Sequence, residues 1–117
     1  MSFPAQRPRR LRRTAALRRL VAQTRISVDD LVAPLFVREG IAEPAPIASM
    51  PGVVQHTRES LRSEVSELAA LGVPAVILFG VPETKDPQGS GAWDPEGIVQ
   101  LAIGDLRAEV GSEMVLM

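Results

Sequence analysis

Cysteine and tyrosine are absent, and the 117 residues hold one tryptophan, three phenylalanines, one histidine and one lysine. Without cysteine the segment can form no disulfide framework and offers no thiolate to a metal, a composition that fits a reducing compartment. With so few aromatic rings, any core must be aliphatic, built from Leu, Val, Ile and Ala within a hydrophobic fraction of 45%. No apolar run approaches the roughly 20 residues that cross a bilayer, and the start lacks the apolar centre of a signal peptide. A soluble cytoplasmic protein without a membrane partner is expected. Negative charge is missing from the first 25 residues, which carry eight Arg and no acid. The remainder sets five basic residues against fourteen acidic ones, so a net charge of −1 divides into +8 and −9.

That asymmetry separates a basic arm, residues 1–26, from a folded part, residues 27–117. Met1 to Pro8 reads as irregular. Thr14 is a suitable N-cap for a short helix reaching about Gln23, with Leu17, Leu20 and Val21 as a narrow apolar stripe among arginines. Such a stripe forms no core alone and requires another surface. Ser27-Val28-Asp29-Asp30 has the form of a capped turn. Leu31 to Val37 then runs almost wholly apolar, as in a strand of a parallel sheet buried on both faces, with Pro34 predicting a bulge or local break. Glu39 to Gly52 holds three Pro and two Gly and reads as an irregular excursion.

From Thr57, Leu61, Val65, Leu68 and Ala69 share one helical face, and Gly72 and Pro74 supply the stop signals. Ala75 to Phe79 is a second buried strand. A polar loop from Val81 to Trp93 leads to Asp94-Pro95-Glu96, read as N-cap, first-position proline and first-turn acid. Val99, Ile103, Leu106 and Val110 mark the apolar face of the helix that follows, Gly104 weakens it by about 1 kcal/mol, and Gly111 ends it. Glu113 to Met117 begins a third strand. Strand, helix, strand, helix, strand implies parallel strands joined by right-handed crossovers. A (β/α)8 barrel takes about 250 residues, so the expected fold class is α/β, three strands and two crossover helices of an incomplete barrel.

Few residues invite a chemical role. Lys85 lies between Glu83 and Asp86 in a polar loop, where a solvated lysine is far commoner than a buried nucleophile. Gly89-Ser90-Gly91 is a weak phosphate-loop candidate, since Asp94 stands where the third glycine of G-x-G-x-x-G belongs; a turn before a helix explains it better. His56 has no neighbouring ligand partner and reads as a solvated loop imidazole. Glu83, Asp86, Asp94 and Glu96 are suited to a hard cation, but more often such acids are solvated or capping. Phe79, at the carboxyl end of the second strand, is the candidate substrate-pocket residue, with packing beneath the following loop an equally good reading.

A series of segments in fixed order narrows these alternatives. Arg7-Pro8-Arg9-Arg10-Leu11-Arg12-Arg13, Ala16-Leu17-Arg18-Arg19-Leu20-Val21, Asp29-Asp30-Leu31-Val32-Ala33-Pro34-Leu35-Phe36-Val37 and Ser49-Met50-Pro51-Gly52-Val53 are followed by Val76-Ile77-Leu78-Phe79-Gly80-Val81, Gly89-Ser90-Gly91-Ala92-Trp93 and Pro95-Glu96-Gly97-Ile98-Val99-Gln100. The series resembles the amino-terminal part of the porphobilinogen synthase (5-aminolevulinate dehydratase) family. The resemblance implies a lyase of tetrapyrrole and heme biosynthesis that condenses two 5-aminolevulinate molecules to porphobilinogen with loss of water, on a lysine pair, with zinc or magnesium. It maps no catalytic residue and no metal ligand onto this chain, so the segment alone is expected to be inactive, with those groups beyond Met117. It also implies a homo-octamer joined through the arm, with Arg9, Arg10, Arg12 and Arg13 contacting another subunit. The alternative is an α/β interaction module whose basic arm binds RNA or another acidic partner. The arm's only ring for base stacking is Phe3, which disfavours nucleic acid.

Overall fold

The computed structural model describes residues 4, 5, 7 and 9–117; most of the irregular start, and Phe3, lie outside them. Eight elements follow in order: α1 (Ala15–Leu20), β1 (Val32–Arg38), β2 (Ala45–Pro46), β3 (Val54–His56), α2 (Arg58–Ala70), β4 (Ala75–Val81), α3 (Ile98–Val110) and β5 (Val115–Leu116). One sheet has the order β2-β3-β1-β4-β5. β3, β1, β4 and β5 are parallel, and β2 runs antiparallel to β3. The α/β class and parallel crossovers therefore stand. Two short strands are added within and just after the stretch read as irregular: β2 and β3, which fold back on each other and extend the sheet beyond β1.

The centre of the sheet is the β1–β4 ladder, continuous over seven pairs from Val32↔Ala75 to Arg38↔Val81. Pro34 pairs with Ile77 without the expected break. The backbone explains why. The Glu39 N–H donates to the Val81 carbonyl, so odd-numbered residues of β1 direct their N–H groups toward β4 and even-numbered ones away. On the away side β3 reaches only Phe36 and Val37, so Pro34 meets no ladder acceptor and its missing N–H removes no bond.

Side chains alternate across this ladder. Leu35 and Val37 of β1 and Val76 and Leu78 of β4 are buried beneath α2 and α3 with Leu61, Val65, Ala102 and Leu106. Val32, Pro34 and Phe79 point to the opposite face and are exposed. Burial on both faces, expected for β1, is thus found on one only, because both helices lie on the same side. Thr57 and Ser60 form a reciprocal capping box at the start of α2. Its end is a Schellman motif: Gly72, at φ 84°, donates to the Ala69 carbonyl and Val73 donates to that of Leu68.

Helix α3 departs from expectation in start and phase. Its N-cap is Gly97, not Asp94. The Asp94 side chain instead accepts from the Glu96 N–H, and the Asp94 carbonyl accepts from Gly97, closing a separate turn that uses the conformation favoured by Pro95. The fully buried stripe is Ile98, Ala102, Leu106 and Val110, with Val99 and Ile103 at its margin. Close approach to the sheet sets that phase. A Cβ on Gly80 would lie 2.5 Å from Cγ2 of Val99 and 3.0 Å from Cγ2 of Ile98.

The arm stands apart. Helix α1 is shorter than expected, Thr14 caps it as expected, and neither it nor the preceding turn at Arg10–Arg12 buries a residue. The radius of gyration is 20.5 Å, against about 13 Å for a compact domain of about a hundred residues. Gly80→Ala is expected to destabilise the fold by about 1–3 kcal/mol through overpacking, measured by denaturant unfolding of the protein as expressed from its gene, whereas Gly104→Ala, with open space at its Cβ position, should be neutral or stabilising.

Candidate functional site

The carboxyl ends of β1 and β4 open on a cavity of about 670 Å³ formed by the β4–α3 loop and the first turn of α3. Its wall includes Glu39, Lys85, Asp86, Ser90 and Gln100. The rim is stitched by backbone: Glu39 donates its N–H to Val81, and the Glu39 carboxylate accepts from the Glu83 N–H at 2.9 Å. Gly40 takes φ 73°, and a Cβ there would lie 3.2 Å from the Glu83 carboxyl. Sequence reasoning left Glu39 unassigned; the signal available was its place directly after an apolar strand.

The glycine loop is organised by its own acid. Gly89 is left-handed at φ 64°, and Ser90–Ala92 form a single 3-10 turn. Asp86 accepts from the Ser90 N–H at 3.0 Å and from the Ser90 hydroxyl. These two bonds, the hydroxyl foremost, hold the Asp86 carboxyl below its ordinary pKa. The Ser90 amide that a phosphate would need is occupied by a carboxylate, so the phosphate-loop reading fails and the turn reading holds. On the opposite wall, Gln100 donates from Nε2 to the Ala92 carbonyl at 2.7 Å, tying the loop to α3. Gly97 leaves room for that contact, since a Cβ would stand 2.6 Å from Oε1 of Gln100.

The remaining predicted residues separate. Lys85 is exposed at the rim. Phe79 lies on the other face of β4, 46% exposed, its ring centroid 5.6 Å from that of Phe36, and does not line the cavity. The carboxylates of Asp86 and Asp94 are engaged by the loop and the turn, whereas Glu83 contributes its backbone N–H to the rim. Among the described residues no group of three or more His, Cys, Asp or Glu is placed to hold a metal ion. Arg9, Arg10, Arg12 and Arg13 are exposed on the arm, away from the cavity. His56 corrects an expectation: it ends β3 only 8% exposed, with Nδ1 3.0 Å from the Ser60 hydroxyl. Its sequence signal was the Val53-Val54 pair before it, a short strand hidden by flanking turn residues.

A one-sided parallel sheet with its loops and cavity at the carboxyl strand ends is part of a (β/α)8 barrel, the class in which chemistry gathers at that face. The family model for delta-aminolevulinic acid dehydratase matches residues 5–117, and the chain belongs to that family. It is 54% identical to the delta-aminolevulinic acid dehydratase of Streptomyces coelicolor and 55% identical to that of Mycobacterium tuberculosis, in each case over 99% of this chain and 36% of the relative. It therefore spans about a third of the length of these relatives. The crystal structure of the Toxoplasma gondii enzyme in complex with the reaction product porphobilinogen superposes with a TM-score of 0.84 at 33% identity, over 95% of this chain and 32% of that one. No helix among the described residues is long and apolar enough to cross a membrane.

Asp86→Ala is expected to free the β4–α3 loop. Trp93, the single tryptophan, lies in that loop and is exposed, so its fluorescence anisotropy should fall in the variant; an unchanged value would mean that backbone bonds alone hold the loop.

Proposed function

We propose that this chain is part of a porphobilinogen synthase that condenses two 5-aminolevulinate molecules with loss of water in tetrapyrrole biosynthesis, in the cytoplasm. The observation that carries the proposal is the family match along residues 5–117, joined to a fold shared with an enzyme caught holding porphobilinogen. Residues 27–117 would supply the first strands of the barrel wall. The lysine pair and the zinc or magnesium would come from chain beyond these residues, because lysine reactivity toward a ketone requires a desolvated amine and Lys85 is exposed.

Within this reading Phe79 is a wall of the substrate pocket. It faces away from the helices, toward the side the rest of a barrel would enclose, and stacks obliquely on Phe36. The protein as expressed from its gene should form porphobilinogen from 5-aminolevulinate, read colorimetrically, and Phe79→Ala should lower kcat/KM about tenfold, equivalent to about 1.4 kcal/mol. Absence of product from the intact protein would refute the assignment. Residues 1–117 alone should give no borohydride-trapped adduct with 5-aminolevulinate; a single adduct on Lys85 would move the active site into this segment.

The arm is proposed to dock on another copy of the chain and to build the oligomer, with an octamer as the expected form. Supporting it are Leu11 at 57% exposure and Leu20 at 78%, set among Arg9, Arg10, Arg12 and Arg13 without buried neighbours. An amphipathic helix of six residues gains stability mainly by packing. Deleting residues 1–26 from the intact protein should lower its sedimentation coefficient and its activity together, and an unaltered oligomer would identify the arm as a passive tail.

A further inference from the structure

The β2–β3 excursion is held to the sheet by a narrow seam. β3 meets β1 at only two positions, Phe36↔Gln55 and Val37↔His56. The second pair lies on the buried face: Val37 is fully buried and His56 nearly so. His56 continues directly into Thr57, the N-cap of α2. With Nδ1 unprotonated, Ser60 Oγ donates to it at 3.0 Å, while the same oxygen accepts from the Thr57 N–H at 3.1 Å. One imidazole thus joins the end of β3 to the first turn of α2. We propose that His56 is a proton-released latch: neutral, it locks the β2–β3 excursion onto β1 and α2, and protonated, it leaves the core and frees residues 45–56 from the sheet edge.

The surroundings favour the neutral form. From β1 the facing residue is Val37, which is apolar. Arg38, on the other face, is engaged by Gln55 at 3.0 Å. From α2, the only acid acting on the ring is Glu64, which favours the proton, while Arg58 is held by Asp105 through two bonds of 2.6 and 2.7 Å. Burial outweighs Glu64, and the His56 pKa lies below its ordinary 6.5. In the released segment the ring regains the ordinary value and binds the proton more readily. The latch is therefore closed above 6.5 and opens progressively as pH falls from 6.5 toward the folded pKa.

The inference stands independently of the dehydratase reading and uses the protein as expressed from its gene. Exchange of the imidazole C2 proton, read by mass spectrometry, should place the His56 pKa below 6.5. Amide exchange of peptides covering 45–56, corrected for intrinsic chemistry, should rise as pH falls below 6.5, by up to about tenfold for each unit by which that pKa is lowered. His56→Gln should abolish the pH-dependent rise. Ser60→Ala, which retains the imidazole, should move the His56 pKa upward toward 6.5. A His56 pKa at or above 6.5, an unmoved pKa in Ser60→Ala, or the same rise in His56→Gln would overturn the latch.

Discussion

Everything in this chain is arranged around the seven-pair ladder between β1 and β4 and the need to cover one of its faces. Two strands adjacent in space but separated by 36 residues of chain must be joined by a crossover, and α2 provides it. Its Leu61 and Val65 join Leu35 and Val37 of β1, Val76 and Leu78 of β4, and Ala102 and Leu106 of α3 in one buried cluster. Fully burying an aliphatic side chain of this size contributes about 1.5–3 kcal/mol, so this single layer supplies most of the cohesion. The polar links between α2 and α3 are secondary. Arg58–Asp105 and Arg62–Glu109 are substantially exposed, and pairs of that kind contribute about 0–1 kcal/mol each. They select the alignment of two helices that apolar burial has already brought together.

The mouth follows from the same ladder. β1 and β4 end level with each other, which brings Glu39 to the Glu83 amide and lets the next loop fold over the ladder's end. Gly80 admits α3 close to β4, and Gly97 admits the Gln100 side chain. Close approach, not chain flexibility, explains these two glycines, since neither has a positive φ. Asp86 then fixes the loop from within, at the expense of the amide a phosphate would use. The concavity is therefore a rim bearing Lys85 and the carboxylates of Glu39 and Asp86, each carboxylate accepting a hydrogen bond from the chain's own backbone.

Two surfaces remain uncovered, and their characters differ. The second face of the sheet presents Val32 at 48% exposure at one end of the ladder and Phe79 at 46% toward the other, and strand register fixes which side chains share it. The arm is a short helix with apolar and arginine side chains and no buried residue, and its geometry depends on whatever it packs against. Barrel closure would cover the first surface and subunit contact the second.

Local sequence determined a large part of this architecture. The Thr14 cap, the Gly72 stop, the apolar runs of β1 and β4 and the +8 arm were all legible because each depends on near neighbours: a hydroxyl three residues from an amide, a glycine able to take positive φ, like charges in succession. Strand β3 was not, since three residues carry no period and His56 is buried only because Val37 and α2 close over it. Nor was the start of α3. Asp94-Pro95 is as good an N-cap signal as Gly97 is a poor one, and only the fit of Ile98 and Val99 against Gly80 shifts the helix by three residues. Pro34 was misread for the same reason, because whether its missing N–H matters depends on which side of β1 has a neighbour. Near-neighbour chemistry sets the elements; which face is covered, which edge is free and which imidazole loses its water are properties of the assembled sheet.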